Sequence, residues 1–294
     1  MRKLKLGLAL GAGGTKGAAH VGVLKVLDEA DIAIDMIAGT SIGSLYGGAY
    51  AAGHTTAEME DGIRNQPRAD VVNFFRHRLK IRHNNRLARR FYEALAGIHI
   101  EDLPIKFAAT ASDIAEHRSI AITSGPLIDA IEASIAIPII ARPVSHQGRY
   151  LLDGGFWDSA PVDAAVELGA DVVVAVELGD PYTLPERLRA PATWLAEKMQ
   201  GIPLRRTFAG LPFTINAVAR ELPAPARQAH VVIRPALEKM RGNSPFHMTQ
   251  CLEAGIAAAT EALPTIRAIL AGEPLPTVTE PAAKPRLAPE AGLA

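Results

Sequence analysis

Twice within its first 52 residues the chain runs from a short apolar stretch, through a turn of very small residues, into a helical pattern. The first passage is Leu6-Gly7-Leu8-Ala9-Leu10, then Gly11-Ala12-Gly13-Gly14-Thr15-Lys16-Gly17. The second is Ile37-Ala38, then Gly39-Thr40-Ser41-Ile42-Gly43 and a helical stretch over 44–52. The rest of the chain keeps this rhythm. Strand patterns fall at 5–10, 36–39, 105–111, 118–122, 148–152, 171–177 and 230–233. Val172, Val173, Val174 and Val176 make the sixth nearly continuously apolar, as a strand covered on both faces would be. Between them, residues 17–30 carry Lys25, Asp28 and Glu29 as a polar stripe and leave Ala18, Val21, Leu24 and Leu27 for burial. Thr55-Thr56-Ala57-Glu58 is a capping box that opens a helix toward Gln66. Pro126 stands early in another helix, where its missing N–H costs nothing. Pro245 begins a long C-terminal helix with Met248, Leu252, Ile256, Ala259 and Leu263 at helical spacing, and a kink is expected at Pro264. Strands alternating with helices indicate an α/β three-layer domain.

Composition excludes several function classes. The 294 residues carry 31 Lys+Arg against 31 Asp+Glu, so the chain is not a generally basic nucleic-acid binder, and no nucleic acid is expected as a partner. Cys251 is the one cysteine, which excludes an intramolecular disulfide and any CxxC site. There is no HExxH and no close His pair on one helix face, and no metal is expected. No stretch reaches the ~18 apolar residues of a membrane span; the longest run, 133–141, is broken by Ser134 and Pro138. Arg2-Lys3-Leu4-Lys5 ahead of 6–10 faintly mimics a signal peptide, but its apolar part is very short and runs straight into the glycine loop. A cytoplasmic protein is the expectation. Residues 181–225 are punctuated by proline and read as an irregular excursion. Residues 272–294, rich in Pro and Ala, read as a disordered tail.

The glycine loop between a strand and a helix brings backbone N–H groups and a helix dipole to one place, and so favours an anion. It fails the GxGxxG spacing, which would need glycine at Lys16. It fails as a Walker loop, because Gly17 stands where Ser or Thr is required. An oxyanion hole or a structural turn remain. The second turn reads G-x-S-x-G after an apolar run and before a helix, the context of a nucleophile elbow with small neighbours at Gly39 and Gly43. Two bases compete for Ser41. An α/β-hydrolase order would use Asp153 with His230 or His247, although such enzymes place the nucleophile after several strands and here it follows the second. Alternatively Asp153-Gly154-Gly155, at a strand end, bonds Ser41 directly. A free aspartate titrates at about 3.9 and is a weak base, which desolvation would strengthen.

These elements together resemble the patatin-like phospholipase family, in particular its small bacterial members and the catalytic domain of neuropathy target esterase. The resemblance runs from Leu6 to about Ala165. It rests on Gly11, Gly13, Gly14, Lys16 and Gly17; on Ala19-His20-Val21-Gly22-Val23-Leu24; on Gly39-Thr40-Ser41-Ile42-Gly43; on Asp153-Gly154-Gly155; and on Ala133-Ser134-Ile135-Ala136-Ile137-Pro138. Ala12 departs from the glycine of many members. The resemblance implies a three-layer fold with a mainly parallel central sheet flanked by helices, in a catalytic domain over 1–271. It implies a serine lipid acyl hydrolase with Ser41 as nucleophile and Asp153 as base, and an oxyanion hole formed by Gly11, Gly13 and Gly14. No cofactor is needed and no histidine takes part, so His20 reads as a packed helix residue. Lys16 orients the loop, meets a lipid phosphate or is simply solvated, and Asp113 is a candidate for shaping the site. A regulatory or scaffold protein with the same fold, or a non-lipid carboxylesterase, are the competing functions. The sequence leaves the oligomeric state open.

One local feature is hidden by the overall neutrality. Arg76, Arg78, Lys80, Arg82, Arg86, Arg89 and Arg90 stand among Phe74, Phe75, Leu79, Ile81, Leu87 and Phe91, with no acidic residue from Val71 to Tyr92. Such a segment is suited to peripheral contact with an anionic membrane, each cation near the surface contributing about 1 kcal/mol. A solvated basic helix face is the alternative reading.

Overall fold

The computed structural model describes residues 3–65, 67, 93–113, 116, 118–137, 143–146, 148–179, 219–221, 229–240 and 244–273. The expected segment 71–92 and the tail from 274 onward lie outside them, as does most of 181–225.

The centre of the molecule is a parallel sheet. Strand β1 (Leu6–Leu10) lies between β2 (Met36–Thr40) and β7 (Val172–Val176), β3 (Lys106–Asp113) continues beyond β2, and β9 (Val231–Ile233) beyond β7. β1, β2 and β7 are buried at every position, as their near-continuous apolar sequences require of strands covered on both faces. Beyond β3 the sheet changes direction. β4 (Arg118–Ile122) and β6 (Arg149–Asp153) both run antiparallel to β3, β5 (Val144–His146) pairs with β6, and β8 (Ala219–Glu221) pairs with β4. β5 and β8 carry no pattern long enough to be read from sequence, and β8 falls in the stretch expected to be irregular.

The helices that matter for the site follow the strands. α1 (Ala18–Glu29) follows the glycine loop, α2 (Ile42–Ala51) follows the serine, and α3 (Thr56–Asn65) opens on the capping box. There Glu58 N donates to Thr55 Oγ1 at 3.2 Å and Thr55 N to Glu58 Oε2 at 2.9 Å. α4 (Leu127–Ser134) and α5 (Val162–Glu167) pack on the sheet, and α6 (Met248–Leu270) continues through Pro264 to lie against α1. The main core gathers Leu6, Leu8, Leu10, Leu24, Leu27, Phe107 and Leu252 around this β1–α1–α6 stack. Lys25 of α1 closes its edge with Glu60 at 2.6 Å.

Candidate active site

Ser41 sits between the end of β2 and the start of α2 at φ 54° and ψ −121°, a conformation L-residues rarely adopt. Its surroundings hold it there. Its carbonyl accepts Ser44 N at 2.9 Å and Ser44 Oγ at 2.6 Å, as the first acceptor of α2. Its own N–H donates to Ser134 Oγ at 2.8 Å. The glycines on either side are needed for space: a Cβ on Gly43 would lie 2.1 Å from the Leu10 carbonyl oxygen, and one on Gly39 2.5 Å from Ser44 Cα. The elbow therefore rests directly on the end of β1.

Asp153 ends β6 and is 1% exposed. Its Oδ2 accepts the Ser41 hydroxyl at 2.5 Å, and its Oδ1 accepts Gly155 N at 2.9 Å. Its backbone N–H donates to Ala136 O at 2.9 Å, and its carbonyl accepts Ser112 Oγ at 2.9 Å. Each carboxylate oxygen thus has a partner, and the one facing Ser41 is oriented by the turn that Gly154 and Gly155 allow. The histidines of the competing triad lie elsewhere in bonding. His230 Nδ1 accepts Val173 N at 3.1 Å beside β7, and His247 Nδ1 bonds Gln250 at 2.8 Å.

The glycine loop lies over the end of β1. Gly11 N donates to Val176 O at 3.0 Å and Ala12 N to Ser159 O at 2.8 Å. This corrects one expectation: Gly11 is not a donor to a substrate oxygen, because its N–H is committed to the neighbouring strand. Gly13 and Gly14 differ. Their N–H groups have no hydrogen-bond partner among the described residues, and Gly14, at φ 59°, opens the short 3-10 turn that leads into α1. His20 is fully buried, with Nε2 2.7 Å from Gly11 O; burial lowers its pKa to about 4, so the neutral ring donates from Nε2. Thr15 Oγ1 ties the far end of the loop to Ser244 O at 3.1 Å.

A family model described as patatin-like phospholipase matches residues 8–166, the stretch that carries loop, elbow and Asp153. The chain belongs to that family. Among its relatives is an NTE family protein of Mycobacterium bovis, itself uncharacterised, 34% identical over 197 residues, which are 65% of this chain and 54% of the relative. Another is lysophospholipase NTE1 of Coccidioides immitis, 34% identical over 181 residues, 59% of this chain and 11% of that protein. This patatin-like chain therefore spans about half the length of the first and about a ninth of the second. Among solved structures, VipD from Legionella pneumophila shares the fold, with a TM-score of 0.50 and 14% identity over 90% of this chain and 67% of that one.

Other residues singled out in the sequence fall in several places. Asp113 is buried at the far end of β3, paired with Arg149 Nη1 at 3.1 Å. Lys16 is half-buried with its ammonium close to Gly179. Gly179 is also one wall of a cavity of about 300 Å³ lined by Ala12, Gly155, Trp157, Ser159, Glu177 and Leu178. Arg76, Arg78, Lys80 and Arg82 lie outside the described residues. The sequence reading missed Ser112 and gave no role to Ser134 or Ala136, although the last two stand inside one of the quoted motifs. Their spacing from Ser41 and Asp153 along the chain holds no signal of contact. Among the described residues no helix is long and apolar enough to cross a membrane.

Proposed function

We propose that this patatin-like protein is a serine–aspartate lipid acyl hydrolase that cleaves carboxylic esters of phospholipids or lysophospholipids. The observation that carries the reading is the 2.5 Å bond from the Ser41 hydroxyl to Asp153, with no histidine between them. Ser41 Oγ attacks the ester carbonyl while Asp153 Oδ2 takes its proton. The oxyanion is received by Gly13 and Gly14 N–H, one such donor being worth about 3 kcal/mol of barrier. Asp153 returns the proton to the leaving alcohol, then activates the water that clears the acyl-enzyme.

Lipid as the substrate is supported by the family and by two aromatic side chains directly after the Asp153 turn. Phe156 and Trp157 are 39% and 38% exposed and pack edge to face at 5.0 Å. Aromatic rings at a wet boundary suit an amphiphile. The name of the fungal relative, lysophospholipase, points the same way. The proposal includes peripheral contact of residues 71–92 with an anionic membrane, on their sequence alone, and one catalytic unit over 1–271. A short-chain, non-lipid carboxylesterase is the second reading, favoured by the small cavity beside Ala12 with Ser159 and Glu177 in its wall.

The test is hydrolysis of phospholipid, lysophospholipid and short-chain ester panels, with and without anionic vesicles, by the wild type, Ser41→Ala and Asp153→Asn. Lipid turnover by the wild type alone supports the proposal, and cleavage of short esters alone selects the second reading. Fluorophosphonate labelling that persists in Ser41→Ala overturns the nucleophile.

A further inference from the structure

We infer that residues 134–136 form a clamp that sets the distance between Ser41 and Asp153, and that Ser134 is a positioning residue for the acylation step. The inference rests on the proposed nucleophile and base, and adds what holds them in register.

Two bonds carry it. Ser134 Oγ accepts the N–H of Ser41 at 2.8 Å, and two residues later the Ala136 carbonyl accepts the N–H of Asp153 at 2.9 Å. One short backbone segment, leaving the C-terminal end of α4, therefore grips both members of the pair through their main chains. The pair is 112 residues apart in sequence and is brought together from separate elements, β2–α2 and β6.

Ser41 needs such a partner. In a regular strand or helix its N–H would bond along the ladder or to a preceding turn, but φ 54° and ψ −121° turn it out of both. At 5% exposure water does not substitute, and an unpaired buried N–H is strongly disfavoured. Ser134 is fully buried at the end of its helix and is the acceptor this donor has among the described residues. The bond has a second consequence. With its N–H directed at Ser134, Ser41 does not contribute its own amide to the oxyanion hole. Ser134 thus acts on the orientation of the hydroxyl toward Asp153, without touching the substrate.

Positioning errors of about 1 Å cost roughly 100-fold in rate, and the experiment is designed to see that loss per active molecule. Ser134→Ala, Ser134→Cys, Ser134→Thr and Ser41→Ala are compared by the rate constant of fluorophosphonate labelling, normalised to the labelled fraction at completion. Ester KM and thermal unfolding are measured beside it. Ser134→Ala is expected to label about 10- to 100-fold more slowly with KM changed less than about threefold. Ser134→Thr, which keeps the oxygen, is expected to recover most of the rate. Ser134→Cys, nearly isosteric but a weak acceptor, slows labelling as Ser134→Ala does and serves where the alanine variant does not fold. A purely structural role would instead lower the labelled fraction and the unfolding temperature at an unchanged rate constant, and that result overturns the clamp. Wild-type rates in both the Ala and Cys variants overturn it too. Persistent labelling in Ser41→Ala overturns the underlying nucleophile assignment, a separate outcome.

Discussion

Thr40 and Asp153 occupy consecutive rungs on one edge of β3, Thr40 opposite Thr110 and Asp153 opposite Ala111. β4 covers the other edge over residues 109–113, so β2 and β6 share an edge and meet on it end to end from opposite directions. Ser41 follows Thr40 at that junction. The change from parallel to antiparallel pairing along β3 is therefore what places a serine from β2 against a carboxylate from β6.

The junction is locked by two hydroxyls, and this gives a stability prediction. Thr40 Oγ1 and Thr110 Oγ1 lie 2.6 Å apart, both fully buried, and Thr110 Oγ1 also reaches Gly39 O at 3.3 Å. Thr110→Val leaves the Thr40 hydroxyl without this partner and is expected to cost roughly 1–3 kcal/mol in urea unfolding. Adding Thr40→Val removes both polar groups at nearly constant shape and should recover most of that loss. A double variant less stable than the single one would contradict this account.

Much of this was legible in the sequence, and the reason is local. The glycine loop, the G-x-S-x-G elbow and the D-G-G turn are each written in a few consecutive small residues, although the groups those glycines make room for, Leu10 O at Gly43 and Thr110 O at Gly154, stand far along the chain. Strand β4 lies where its pattern put it, and the other predicted strands differ by a residue or two at their ends. What the sequence withheld was nonlocal. The antiparallel turn of the sheet beyond β3, the grip of Ser134 and Ala136, and the loss of Gly11 as a donor to Val176 all depend on partners far along the chain. Periodicity reports which face of an element is buried, and it is silent on which neighbour buries it.

His20 is expected to hold the loop in its working shape. Gly11 is pinned from two sides, its N–H on Val176 O and its carbonyl on His20 Nε2. His20→Leu removes the second pin and is expected to lower kcat about 10- to 100-fold. His20→Gln, which can present an amide N–H at the Nε2 position, should retain most activity. Equal activity in the two variants would show that the bond to Gly11 does not matter.

A buried histidine and a half-buried aspartate act on stability in opposite directions with pH, which sets a pH prediction. Burial lowers His20 from 6.5 to about 4, so between those values the unfolded chain binds a proton that the folded one does not, and this contribution to stability is lost as pH falls from 6.5 toward 4. Burial raises Asp158 from 3.8 to about 6, opposed by the bond from Ala160 N and reinforced by Asp163. Its contribution therefore runs the other way and is lost as pH rises through 6. Each spans roughly 3 kcal/mol at most, and the two nearly cancel in the wild type between pH 4 and 6. Relative to wild type, Asp158→Asn should gain stability with rising pH over that window and His20→Gln should lose it. Urea midpoints at pH 4, 5, 6 and 7 check the opposite slopes.

The helix that carries the loop is seated on α6 backbone to backbone. A Cβ on Gly255 would lie 2.1 Å from Ala19 O, and one on Gly22 2.3 Å from Leu252 O. Ala19 stands next to His20, so the seating of α1 and the position of the loop are one question. Glycine to alanine in an open helix stabilises by about 1 kcal/mol, and Gly62 of α3, with nothing within 4 Å of a built Cβ, should behave that way. Gly255→Ala has the opposite expected sign. Its methyl has no room against the Ala19 carbonyl, the helices must separate, and overpacking of this kind costs about 1–3 kcal/mol. Denaturant unfolding of Gly62→Ala and Gly255→Ala beside the wild type checks the contrast. A stabilised Gly255→Ala would mean that α1 and α6 are not in contact at this crossing.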